Sequence, residues 1–404
     1  MAEQPVKPDA PARVTGSPTG TATTGRAAVA TVSAAPARGW AGLDSHTRNR
    51  VFFGIFVAFL VLYPVLDRGL GIGRMGSMNP ILIFMLLALG LNIVVGFAGL
   101  LDLGYAAFFA IGGYTVAFLT APQSPLVQAG YTVDFWIALP AAFVVAAIFG
   151  LILGAPTLRL RGDYLAIVTL AFGEIVPQSI RNLEWLTNGT KGMNPIGRPH
   201  FGEVELLASD QVPWYYLILA TTVVSVFIIV RLRDSRLGRA WMAMREDEIA
   251  AASMGINLVK TKLLAFALGA SFSGFGGALY ASMLQYIGPD QFDFSISIIL
   301  LAMVILGGIG NIWGVMFGAL VLGTFNFIFV DAASGWMKSL SAFTGIGFLA
   351  QIDLANSKLM LFGLALVIMM LIRPEGIFPS AQRKAELRRG TGTPGLPTNV
   401  GGAS

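Results

Sequence analysis

The sequence predicts an all-α, polytopic membrane protein of about ten (8–10) transmembrane helices, some of them broken or re-entrant. Three observations carry this expectation. Hydrophobic residues make up 55% of the 404 and charged residues only 12%, with a mean hydropathy of +0.71. Aqueous cores cannot hide that much apolar surface. The apolar residues are gathered into long uncharged runs. The charges lie between the runs, with Arg concentrated in a few connections and in the C-terminal tail.

The runs follow in order. Residues 51–66 are clean and bounded by Arg48, Arg50, Asp67 and Arg68. Residues 80–101, 103–133 and 135–158 carry no charge, and 164–180 is interrupted by Glu174 and Pro177. Residues 211–230 and 263–289 are again uncharged, as is 294–330, which is too long for one simple span. Residues 359–372 close the set. Breaks are expected at GFAGLLDLG (96–104) and GGIGNIWG (307–314), where Gly and polar residues interrupt apolar runs. The stretches 94–108 and 305–319 share a Gly spacing. One reading is an internal two-fold repeat with broken helices near a midplane path, and the plain reading is that Gly-rich membrane helices look alike.

Residues 1–46 are rich in Ala, Pro, Thr and Gly and read as a disordered leader, with a transit peptide as the alternative. Residues 47–380 read as the transmembrane domain and 381–404 as a disordered cytoplasmic tail. With ten spans, both termini fall on the cytoplasmic side. So do 158–163, the Arg-rich connection 231–247 and the tail, as the positive-inside rule requires. The net charge of +5 is therefore assigned to topology and headgroup contact with membrane lipid, not to nucleic acid.

Several chemistries are excluded by composition and motif. There is no Cys, hence no disulfide or thiolate site, and the two His, His46 and His200, make no metal site. The chain carries no GxxxxGK[ST] loop, no HExxH and no GxSxG. It reads as a non-enzyme without cofactor. Energy for uphill transport would come from a gradient or a partner. Of the acids in or near apolar runs, Asp134 and Asp163 sit at segment ends, Asp102 lies in a Gly-rich break, and Glu174 reads as the deepest. A structural helix-end role stands beside a solute contact for Glu174.

One polar stretch stands out. REDEIAAASMGIN (245–257) predicts a single helix of roughly two to three turns. Glu246, Asp247 and Glu248 would complement its positive end, Ala250, Ala251 and Ala252 favour helix, and Gly255 would end it. Ile249, Ala252, Ser253 and Ile256 would form a small apolar face suited to a groove on a partner. A solvated loop helix is the bland alternative.

REDEIAAASMGIN, followed by KLLAFALGASFSGFGGALYA (262–281), resembles the acidic–Ala–Ala coupling segment of ABC importer permeases. Glu248, Ala250, Ala251 and Gly255 fill that pattern, with Ile249 inserted after the Glu. The wider chain, about residues 50–380, is similar to branched-chain amino acid permeases of the M-type (LivM-like). GLNIVVGFAGLLDLGYAAFFAIGGYT (90–115), LRLRGDYLAIVTLAFGEI (158–175), AMVILGGIGNIWGVMFGA (302–319) and LIRPEGIFPS (371–380) carry the likeness.

The resemblance implies a permease subunit of an ATP-driven importer in the bacterial plasma (inner) membrane. It implies a second related permease (LivH-like), two ABC ATPase subunits and an extracytoplasmic substrate-binding protein. Arg245, Glu246, Asp247, Glu248, Ala250, Ala251 and Gly255 would form the ATPase-coupling segment. Candidate residues of the translocation path are Asn92, Gly96, Gly99, Gly104, Glu174, Gly307, Gly310 and Asn311, with close helix packing as the alternative for each Gly. The solute stays open between branched-chain amino acids and urea or short amides. A gradient-driven secondary carrier and a non-transporting scaffold are the other classes.

Overall fold

The computed structural model describes residues 45–71, 73–157, 160, 163–202 and 204–344, together with positions 360, 363, 364, 367, 371 and 378. The leader, the tail from 381 and most of 359–372 therefore lie outside the described residues. Two compact units are present, Met1–Phe52 and Phe53–Ser404. The described part of the first, residues 45–52, forms the opening turns of α1 (Ser45–Gly69).

Among the described residues the regular structure is helical apart from one small hairpin and one isolated bridge. α2 (Met75–Leu91) runs into a π-helical turn, Asn92–Phe97, and is followed by α3 (Tyr105–Thr120) and the short α4 (Pro125–Gln128). α5 (Phe135–Thr157) and α6 (Asp163–Asn182) come next, then the single-turn α7 (Glu184–Thr187) and the paired strands β1 (His200–Phe201) and β2 (Val204–Glu205). α8 (Gln211–Arg233), α9 (Arg236–Glu246), α10 (Glu248–Ser253) and α11 (Leu258–Leu284) follow. α12 (Phe294–Gly307), α13 (Ile312–Thr324) and α14 (Val330–Thr344) complete the order, the last two joined by a second π turn, Phe325–Phe329.

Among the described residues, seven helical stretches are long and apolar enough to cross a membrane: Met75–Phe97, Tyr105–Gln128, Phe135–Thr157, Gln211–Arg233, Leu258–Leu284, Pro289–Gly307 and Ile312–Met337. This is fewer than the expected ten. Run 51–66 lies within α1, and run 359–372 falls mostly outside the described residues. Run 164–180 is the continuous α6, which carries Pro177 without ending there. Its polar Asp163, Glu174, Gln178 and Arg181 keep it outside the seven.

α2 and α11 form the centre, because their side chains are apolar or small around most of the circumference and can be buried on every side. Small residues let α3, α5 and α11 approach at backbone distance. A β-carbon on Gly112 of α3 would stand 2.1 Å from the Gly274 carbonyl oxygen of α11, and one on Gly274 would stand 2.3 Å from the Ala146 β-carbon of α5. Such contact replaces the hydrophobic drive that lipid cannot supply between helices. Tyr105 adds a buried bond, its hydroxyl donating to the Gly269 carbonyl at 3.0 Å.

The connections gather at two ends. At one end Thr120 Oγ1 accepts from Gly197 N at 2.9 Å, Trp136 Nε1 donates to the His200 carbonyl at 2.9 Å, and Met193 pairs with Ile287. Arg181 pairs there with Asp290 at 2.8 Å. At the other end lie α9, α10 and both Gly-rich interruptions. A 23-residue α8 separates the two ends, a rise of about 35 Å. The interruptions therefore differ from the midplane breaks expected. The stretch Met75–Phe97 is already a full crossing, so 98–104 connects two crossings rather than splitting one. Residues 308–311 do the same between α12 and α13.

Candidate functional site

The polar stretch folds as two helices joined by one extended residue, not as a single helix over 245–257. Arg245 and Glu246 end α9. Asp247 is extended, with φ −156° and ψ 111°, and its carboxylate accepts from Ile249 N at 2.8 Å and Ala250 N at 3.0 Å. An acid that caps with its side chain must leave helical geometry to do so, which is why it breaks the run. Only Glu248 remains in the first turn of α10. At the far end Gly255 takes φ +84°, its N–H donates to the Ala252 carbonyl at 3.0 Å, and Ile256 N donates to that of Ala251 at 3.1 Å. This is the glycine-terminated cap expected, and its left-handed turn is what requires Gly.

Two anchors fix this pair of helices to the bundle. Trp241 of α9 is fully buried and donates from Nε1 to the Thr261 carbonyl at 2.8 Å. Lys262 of α11, whose side chain is 6% exposed, pairs with Glu248 Oε1 at 2.7 Å. Ala251 is the one buried residue of α10. The free face is therefore Ile249, Ala250, Ala252, Ser253 and Met254, with Ile249 70% and Met254 84% exposed. Ile256, expected on that face, packs against the core instead.

Because the Lys262 ammonium is nearly dry, Glu248→Ala leaves it uncompensated. The expected cost is about 3 kcal/mol, read as a fall in thermal unfolding temperature, and the double variant with Lys262→Met should recover most of it.

Arg245 points into the bundle. Its Nη1 donates to the Gly96 carbonyl. A β-carbon on Gly99 would stand 2.7 Å from Arg245 Cγ, and one on Gly310 3.2 Å from Arg245 Nη1. Gly310 N donates to Asn92 Oδ1 at 2.9 Å. The structure thus brings Asn92, Gly96, Gly99, Gly310 and Arg245 together. Asn311 adjoins them and caps α13, accepting from Trp313 N at 3.2 Å, while its Nδ2 donates to the Phe378 carbonyl at 2.9 Å. Phe378 thereby meets the GGIG turn, since its N also donates to the Gly307 carbonyl at 3.3 Å.

The other candidate path residues lie elsewhere. Gly104 packs on α6, where a β-carbon would stand 2.1 Å from the Thr169 carbonyl oxygen. Gly307 packs on α13, where the same construction reaches the Gly314 carbonyl oxygen at 2.3 Å. Glu174 is exposed on α6 and does not meet Arg181, which bonds Gln178 and Asp290. Asp102 is the buried acid of the Gly-rich break, 1% exposed, and accepts from Gly104 N at 2.9 Å through Oδ1. Sequence depth misjudged the two because position within a helix does not reveal which face Glu174 takes, and the folding-in of the connection 98–104 that buries Asp102 has no local signal.

A cavity of about 800 Å³ opens between α3, α5 and α6 in the half away from α10. Its walls are the apolar stripes of those helices, among them Ile111, Phe118, Val145, Val176 and Ile180, with the Tyr114 hydroxyl buried and without a hydrogen-bond partner. No candidate path residue lines it. In sequence these stripes look the same as lipid-facing ones, so no signal could have separated them. Among the described residues no cluster of His, Cys, Asp and Glu could hold a metal ion.

The sequence matches known proteins. Residues 75–343 match the family model of the branched-chain amino acid transport system permease component. The chain is 36% identical over 367 residues to the high-affinity branched-chain amino acid transport system permease protein LivM of Salmonella typhimurium, covering 86% of this chain and 79% of that one. It is 37% identical over 369 residues, with the same coverage, to the LivM protein of Escherichia coli. The Escherichia coli permease protein LivH is 26% identical over 253 residues, 59% of this chain and 79% of that one. No solved structure matches the chain. A multi-pass helical bundle of this sequence, matched over most of its length, belongs to the branched-chain amino acid transport permease family.

Proposed function

We propose that this chain is the permease subunit of an ATP-driven importer of branched-chain or related amino acids, coupled to partner ATPases through α10. The observation that carries this reading is the free face of α10. Ile249 and Met254 are large, apolar and exposed at the tip of an otherwise well-anchored helix pair. An apolar knob on a rigid base, beside Arg-rich connections, suits a groove on a soluble protein. The chain has no phosphate loop, so ATP hydrolysis falls to that partner.

Family membership supports the partners in this reading, and the Arg-rich connections support its orientation. A second related permease completes the pathway, an extracytoplasmic binding protein delivers the solute, and both termini face the cytoplasm of a bacterial plasma membrane. Coupling then works as a population shift, with partner closure favouring one state of the bundle. Asn92, Gly96, Gly99 and Gly310 belong to the coupling end rather than to solute contact. The apolar cavity between α3, α5 and α6 suits an aliphatic side chain better than urea or a short amide, whose polar groups would find few partners on its walls.

The chain has no native Cys, so a single introduced thiol reports cleanly. Met254→Cys should crosslink to the ATPase subunit in the assembled transporter, with leucine uptake in proteoliposomes as the activity readout. Crosslinks only to the extracytoplasmic binding protein would reverse the orientation and reject the reading.

A further inference from the structure

Arg245 lies in the segment that resembles an ATPase-contacting motif, yet its side chain is spent inside the protein. The Gly96 carbonyl it bonds belongs to the end of the α2 crossing, where carbonyls lack helical partners and the dipole is negative. The methylene stem lies across Gly99, which takes φ +71° and so has neither the backbone nor the room for a side chain. The guanidinium lies beside Gly310, itself tied to Asn92 by the 2.9 Å bond. Gly99 and Gly310 thus leave a slot that one arginine fills, with the Gly96 carbonyl as its acceptor, and the slot joins the connection 98–104 to the turn 308–311. Only Asp247 separates α9 from α10, and Met244 and Trp241 hold α9 in the core.

We propose that Arg245 is a positioning residue that fastens α9–α10 to both interhelical connections, so that displacement of α10 moves the ends of α2 and α12 together. This rests on the reading of α10 as the ATPase contact. A planar guanidinium on a short path to two backbones transmits displacement; a lysine in the same place offers a single point donor.

The test uses the full assembly with its ATPases and binding protein in proteoliposomes, with radiolabelled leucine. Arg245→Met should lower uptake about ten-fold and raise the ATP hydrolysed per leucine, while the Met254→Cys crosslink to the ATPase persists. Arg245→Lys should restore part of the coupling. Gly99→Ala, which pushes on the arginine stem, should reproduce the loss. A normal crosslink with an unchanged ATP-to-leucine ratio in Arg245→Met overturns the inference alone. So does loss of the crosslink confined to that variant, which would make Arg245 a residue of local folding. If Arg245→Met fails to assemble, wild-type coupling in both Arg245→Lys and Gly99→Ala overturns it. Absence of the crosslink with Arg245 intact rejects the α10 reading and this inference with it.

Discussion

Ile249→Asp is expected to abolish coupled leucine uptake while leaving the chain inserted and folded. Ile249 is 70% exposed, so the isolated protein loses little packing. Exposed substitutions of this kind change stability by about 0.5 kcal/mol or less. An acid in the first turn of α10 even suits the helix dipole. In a groove the balance reverses. Burying an isoleucine contributes roughly 1.5–3 kcal/mol, and a carboxylate in its place must also be desolvated. The ATPase should therefore co-purify poorly and uptake should fall by about two orders of magnitude, since each 1.4 kcal/mol is tenfold. Thermal unfolding of the solubilised chain should match the parent. Normal uptake in this variant would remove α10 from the coupling interface.

Gly112→Val should prevent formation of the bundle altogether. The β-carbon alone would lie 2.1 Å from the Gly274 carbonyl oxygen and 2.2 Å from its α-carbon, inside the reach of any atom pair. The obstacle is backbone, which cannot rotate away as a side chain can. α3 and α11 would have to separate along their length, and α5 would lose Ala146 as a neighbour of Gly274. Ordinary overpacking costs about 1–3 kcal/mol, and two methyl groups beyond this β-carbon exceed it. No monodisperse folded species should survive size-exclusion chromatography in detergent. Gly335→Ala is the control, because nothing lies within 4 Å of its added β-carbon, and its elution and melting should equal or exceed the parent's. A folded Gly112→Val chain would show that α3 and α11 do not touch as described.

Much of the fold was legible because membrane solvent imposes a simple rule. Each crossing needs an uncharged run, and the runs 80–101, 103–133, 135–158, 211–230 and 263–289 became α2 with its π turn, α3 with α4, α5, α8 and α11. The long run 294–330 did break, at residues 308–311, where Gly and Asn signalled it. The count of ten was less secure, since α6 mixes polar and apolar faces and hydropathy alone treats it as an interrupted span. The site was legible by type rather than by direction. Asp247, Gly255 and the alanines read as a capped helix, but whether Asp247 would sit in the helix or cap it depended on a backbone choice that composition leaves open.

By itself the sequence determined that this protein is a multi-pass membrane protein, that it carries no GxxxxGK[ST] loop, and that a short polar stretch with helix-capping residues interrupts its apolar runs. Those properties follow from local features: apolar run length, an absent phosphate loop, and turn-forming residues at fixed spacing. Tertiary structure alone decided that Arg245 turns inward, that Asp102 rather than Glu174 is buried, and that Gly99 and Gly310 flank one arginine that bonds the Gly96 carbonyl. These depend on contacts between residues as far apart as Asn92 and Gly310. A helix repeats its local geometry whichever face it turns to its neighbours, so only packing selects the face.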